Sequence, residues 1–234
     1  MNRFVFVGAC ALAAAASADI RGNAIDIAAS SDAGQGTWRL LTEDLNYNPD
    51  QDRWWWQSDG PLVIRDATGA PLVTFDNLAI SFVEDPVISL GFLATAGGVN
   101  TRFTISSGIL GFAPGLYTAQ ASSSITTTDT DGNGATTTGH FGINDTYQAL
   151  CNGASIGTST PGIAVGPFGS TPSAGAIGPA NYFANSMQAQ WDFTLSANDS
   201  ASGTSVYVKT LVPAPGTMGL LALGGLAAAR RRRA

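Results

Sequence analysis

Histidine occurs once in this 234-residue chain, as His140, and lysine once, as Lys209; glutamate occurs twice, as Glu43 and Glu84, and cysteine twice, as Cys10 and Cys151. Each scarcity removes a class of chemistry. A zinc site draws on three or four His, Cys or acidic ligands, and the nitrogen and sulfur donors are too few to build one. Glycoside hydrolysis wants two positioned carboxylates. Glu84 sits in Glu84-Asp85-Pro86, which reads as a turn at a strand boundary, and only the aspartates remain to serve. Cys151 and His140 lie eleven residues apart with no nucleophile elbow or orienting motif, and a Ser/His/Asp triad would need the same single histidine. No phosphate-cradling glycine loop precedes a helix. The expectation is a non-enzymatic chain without a cofactor, with a hydrolase using His140 or an aspartate as the catalytic alternative.

Basic residues are equally sparse in the middle of the chain. All 17 acidic residues fall within residues 19–212, opposed by Arg21, Arg39, Arg53, Arg65, Arg102 and Lys209, so this body carries a net charge of about −11. Such a surface repels nucleic acid and anionic lipid headgroups and favours solubility and divalent cations.

Long hydrophobic runs are missing, and the two short ones stand at the ends. Arg3 precedes an apolar stretch over residues 4–16, and Ala16-Ser17-Ala18 completes a small-residue cleavage site ahead of Asp19. That order reads as a signal peptide addressed to the Sec export machinery. A lipoprotein site at Cys10, after Val7-Gly8-Ala9, would leave too short an apolar segment. Once the leader is removed only Cys151 remains, so no intrachain disulfide can form, and this thiol reads as buried and inert.

The other short run belongs to residues 212–234, where three physical tasks sit side by side. Val212, Pro213, Ala214 and Pro215 end any preceding strand, because proline lacks an N–H and pushes its predecessor to extended geometry. An uncharged stretch over residues 217–229 follows, including Met218, Leu220, Leu221, Leu223 and Leu226. As a helix its 13 residues reach about 20 Å against a hydrocarbon core of about 30 Å. Arg230, Arg231, Arg232 and Arg233 then hold the far end on the cytoplasmic side and can snorkel to lengthen the span. A short helix buried against the domain would leave four adjacent charges to solvate. This arrangement resembles the PEP-CTERM sorting signal of bacterial exported proteins, with Ala214 where that family most often has Glu. The resemblance implies a transient inner-membrane anchor, recognition and cleavage near the Pro-x-Pro motif by exosortase, and delivery to the cell surface or an exopolysaccharide matrix.

Between the two ends the text is that of strands. Residues 24–28 and 37–41 read as two strands and a turn, and residues 61–65 and 71–75 as a hairpin around Asp66-Ala67-Thr68-Gly69. In Trp54-Trp55-Trp56 successive side chains must alternate, so Trp54 and Trp56 share one face and Trp55 takes the other. Either two of them fill the core while the third covers an edge, or an exposed ring stacks on a sugar, which makes a carbohydrate-binding module the second functional reading.

Apolar residues at 78, 80, 82, then 88, 90, 92, then 103 and 105 predict a three-segment antiparallel meander. Ser/Thr-rich residues 116–128 and 136–138 predict a hairpin across Asp129-Thr130-Asp131-Gly132-Asn133-Gly134. Oxygen side chains at Asp129, Asp131 and Asn133 with a glycine near the end match the opening of a calcium loop, but the twelfth position is His140 where a bidentate acid belongs. Residues 152–185 show no clear period and read as a long surface loop or irregular edge strands. Met187, Ala189, Trp191, Phe193 and Leu195 then alternate with polar neighbours as a half-buried strand. The sequence therefore predicts an all-β, antiparallel sandwich of jelly-roll type over residues 19–212, behind a signal peptide (1–18) and ahead of a sorting tail (213–234) with a short apolar helix.

Overall fold

The computed structural model of the protein describes residues 18–213. Ala16, Cys10 and the rest of the expected leader up to residue 17 lie outside the described residues. So do Ala214, Pro215, Met218, Leu220, Leu221, Leu223, Leu226 and Arg230 to Arg233 of the tail.

Alternation of apolar and small polar residues produces strand after strand. The first half holds β1 (Asp19–Ser31), β2 (Gly34–Leu40), β3 (Asn46–Asn48), β4 (Arg53–Gln57), β5 (Leu62–Arg65), β6 (Pro71–Val83) and β7 (Val87–Ala96). The second holds β8 (Thr101–Thr128), β9 (Ala135–Gly139), β10 (Asp145–Cys151), β11 (Ala154–Pro161), β12 (Ala164–Val165), β13 (Ser170–Leu195) and β14 (Ser200–Leu211). Among the described residues helix is confined to one 3-10 turn, Thr42–Asp44, and none is long and apolar enough to cross a membrane. The class is all-β and antiparallel, as expected. The strands form one 14-stranded sheet rather than two separate ones, with the main path β11-β10-β13-β8-β14-β7-β6-β4-β3.

Two long strands organise it. Along one edge β8 pairs with β13, from Thr101 opposite Leu195 to Thr128 opposite Ser170. Its other edge is shared: Arg102 to Gly111 face β1, and Tyr117 to Thr128 face β14. Leu195 thus lies beside Thr101, while Ser200, five residues later, lies beside Thr128. Five residues span at most about 18 Å, whereas a straight strand of the length of β8 would run about 90 Å. The two halves of β8 must therefore double back on each other, and the turn falls in the Gly- and Pro-containing stretch between the β1 and β14 pairings, around Gly111, Pro114 and Gly115.

The doubled sheet buries one aromatic cluster between its halves. Trp191 of β13 meets Phe92 of β7 edge-on at 5.3 Å and Tyr147 of β10 at 5.1 Å. Its indole N–H donates to Ser205 Oγ of β14 at 3.2 Å. Phe92 also stacks on Phe193, which packs on Phe103, which meets Phe75. The strand expected from residues 187–195 is therefore the strand that closes the core.

Two expectations need correction, and one open choice is decided. The meander holds for β6 and β7, but β14 lies between β7 and β8, so the third segment is not their neighbour. The Ser/Thr-rich segments are not a hairpin: β9 pairs with β12 and β13. Their hydroxyls meet instead, Thr127 with Thr137 at 2.8 Å and Ser123 with Ser159 of β11 at 2.8 Å, both buried. Of the two readings of residues 152–185 the strands hold: they supply β11 at the edge of the sheet, β12, and the first half of β13 with its register shifts. Small residues hide the period there because the chains approach closely. A side chain at Gly175 would meet the Thr160 amide nitrogen at 2.5 Å, and one at Gly157 would meet Ile177 at 2.7 Å.

Candidate functional site

The fold gathers acids at one end of the molecule, where β8 runs into a turn and β13 turns into β14. Asp129 and Asp199 are buried and Asp131 is exposed. One carboxylate oxygen from each lies within 4.8 Å of the others. Turn chemistry sets the loop: Gly132 and Gly134 adopt φ of +86° and +93°, the left-handed region where a Cβ is costly. Asp129 accepts from the Gly132 and Phe168 N–H groups, while Asp199 accepts from the Thr130 N–H and the Ser196 hydroxyl. Asn133, expected as a ligand, turns its amide to Asp131 at 2.8 Å. Asp131 also accepts from the Asn198 amide at 3.3 Å.

Asp199 was not foreseen, because no local spacing links it to residues 68 and more positions earlier in the chain. The two buried acids respond oppositely. Burial pushes Asp129 up, but the N–H groups of Phe168, Gly134 and Gly132 together outweigh it and hold the carboxyl below its ordinary range. Burial raises Asp199, and the neighbouring Asp129 and Asp131 charges add to the rise. The group with the raised value adds stability below the ordinary aspartate range and loses it as the pH climbs through the folded-state value. At neutral pH the Asp199 charge is therefore a cost. Asp199→Asn is expected to raise the melting temperature at pH 7, with the gain shrinking towards pH 4, as thermal melts across that range would read. Oxygen ligands so placed are of the type calcium takes. The same melts with calcium added test the expected cation: a rise for the natural protein that the variant lacks supports it, and no rise removes it.

The tryptophan triplet divides as strand geometry requires. In β4, Trp54 and Trp56 are partly buried against the core, Trp54 beside Tyr47 at 4.9 Å and Trp56 beside Trp38 at 5.6 Å. Trp55 points outward and is 41% exposed. Register then carries its face across the sheet: Trp55 opposes Ser81, Ser81 opposes Ser89, Ser89 opposes Val206, Val206 opposes Ser122, and Ser122 opposes Ala176. A ring thus heads a lane of small side chains, above a shallow cavity of about 130 Å³ that Arg53, Gln57 and Gly91 also line. Stacking and hydrogen-bonding groups stand together there.

The lone histidine and cysteine are not brought together. His140 bonds Thr194 Oγ1 through Nε2 at 2.8 Å. Cys151 is buried and pairs with Met187, seven residues back along β13, about 23 Å away by strand rise. Of the reading of this thiol as buried and inert, the burial is what the structure has.

At the end opposite the acids the chain leaves the fold. Leu211 is the last residue of β14, the Val212 N–H donates to the Leu116 carbonyl at 2.8 Å, and Pro213 is exposed. Ala18 is here too, buried, with its N–H on Glu84 Oε1 at 2.8 Å. The proline motif therefore begins one residue beyond the last backbone hydrogen bond among the described residues. No curated protein matches the chain. The description of the PEP-CTERM protein-sorting motif matches residues 211–233. The chain thus carries, from the last residue of its final strand onward, the PEP-CTERM protein-sorting motif, which marks an exported protein whose tail is recognised by exosortase and anchors it in the membrane before processing.

Proposed function

We propose that the protein is a non-enzymatic component of the cell surface or extracellular matrix. Its signal peptide (1–18) enters the Sec pathway, its tail (213–234) holds it in the inner membrane until exosortase cuts near Pro213 to Pro215, and residues 19–212 are the cargo. In this reading the doubled sheet works as a jelly-roll sandwich, an acidic and catalytically bare shell suited to a polysaccharide matrix. The observation that carries the proposal is the sorting motif starting where the last described strand ends, with Pro213 exposed. Fractionation of cells making the chain with and without residues 213–234 tests it. The full chain is expected in the membrane and then at the surface, and the truncated one in soluble fractions. Identical soluble distribution would refute it.

A second reading, a carbohydrate-binding module, is favoured by the exposure of Trp55 at the head of its lane. An exposed aromatic face can stack on the apolar face of a sugar ring. Trp55→Ala is expected to weaken binding to a glycan array severalfold or more with little change in the melting temperature, and unchanged binding would discard this reading.

A further inference from the structure

The end of the domain from which the tail departs carries three exposed apolar side chains, beside the turn of Glu84 and Asp85 that adjoins the last residues of β14. Leu116 and Phe183 oppose each other across β8 and β13 and are 44% and 71% exposed. Leu211, 57% exposed, reaches over Gly115, with its Cδ1 3.0 Å from where a Cβ would sit. These three side chains surround the Val212 to Leu116 hydrogen bond that ends the fold. The neighbouring polar pair, Thr118 and Asn181, is uncharged and satisfied internally at 2.8 Å. Arg21 and Asp19, which lie across β8 beside Gly111, neutralise each other at 3.0 Å. The acidic cluster stands at the other end of β14, whose 12 residues span about 40 Å.

Chain length decides what this rim can reach. Only four residues, at positions 214–217, separate Pro213 from Met218, the start of the uncharged run. Fully extended, that link spans about 17 Å, of which the headgroup layer takes roughly 5–8 Å. A domain so tethered keeps its exit end within about 10 Å of the headgroups, whatever its tilt.

We infer that Leu116, Phe183 and Leu211 form a docking rim for the lipid surface, which seats the anchored domain end-on and points the acidic cluster outward. The inference rests on the reading of the tail as a membrane anchor. The rim presents apolar side chains to the interfacial layer.

The test uses the full chain in vesicles of phosphatidylethanolamine with phosphatidylglycerol. Phe183→Cys, in a Cys10→Ser background, takes an environment-sensitive fluorophore while buried Cys151 stays unlabelled; Ser202→Cys near the acidic end is the control. The expected result is a blue-shifted label at 183 whose quenching by aqueous iodide is severalfold weaker than at 202. Adding Leu116→Ser and Leu211→Ser should return the quenching to the control level with flotation unchanged. Equal quenching at 183 and 202 in protein that floats with the vesicles overturns the rim and leaves the anchor standing. Protection that arises only when exosortase is added assigns the rim to a protein contact and overturns the lipid proposal. Failure to float overturns the anchor reading and the rim with it.

Discussion

Trp191→Ala is expected to destabilise the fold by about 3–5 kcal/mol, the range for truncating a buried tryptophan to alanine. The side chain is fully buried. It ties one pair of neighbouring strands to another: β13 carries it beside its ladder partner β10, which supplies Tyr147, and it reaches β7 and β14, themselves neighbours, for Phe92 and for the Ser205 hydroxyl that accepts its N–H. Removing the indole leaves a cavity between the two halves of the doubled sheet and strips Ser205 of its donor. Urea unfolding followed by circular dichroism should show a much lower midpoint with little change in slope. A shift below about 1 kcal/mol, the centre of the range for ordinary substitutions, would mean that the halves are not packed on this residue.

Gly203→Val is the second large effect and arises from the opposite fault. Gly203 of β14 opposes Phe92, and a Cβ there would come within 2.3 Å of the Phe92 ring. That ring cannot retreat, because it is held edge-on by Trp191 on one side and stacked on Phe193 on the other. Overpacking of this kind costs typically about 1–3 kcal/mol and more where backbone must shift; with the ring pinned, a value at or above the top of that range is expected. Gly60→Ala is the control, since a Cβ there meets nothing within 4 Å, and its midpoint should hardly move. Equal stability of the valine variant and the control would show that the Phe92 ring is free to move.

Both variants act on contacts that no stretch of sequence displays, although many of the parts are legible. Period-two patterning correctly assigns Trp54 and Trp56 to one face and Trp55 to the other, and it finds the hairpins of β1 with β2, β5 with β6, and β6 with β7. It is silent on which strand lies beside which. β14 enters between β7 and β8, so residues at 103 and 105 that share a rhythm with 88, 90 and 92 belong elsewhere in the sheet. Period two also fails where layers touch closely, as at Gly157 and Gly175. Bulk is excluded there, and the apolar signal that marks a strand disappears with it.

The candidate sites divide in the same way. Asp129, Asp131 and Asn133 stand out by spacing, yet Asn133 serves the turn. The third acid is Asp199, delivered by the bend of β8 that sets both turns at one end.

What the sequence alone determines is the C-terminal sorting motif and the short supply of histidine and glutamate. An apolar run, its flanking prolines and its arginines act through local composition, and the single histidine and two glutamates limit reactions in any fold. The class of strand structure follows as well, because side-chain alternation is a property of neighbouring residues. Tertiary structure alone decides the partners. The doubling of β8 places Trp191 against Phe92, unites Asp199 with Asp129, and sets Leu116, Phe183 and Leu211 around the exit of the tail. The reason is that backbone hydrogen bonds are alike along every strand, so the choice among neighbours is left to side chains that meet only when the chain has folded back on itself.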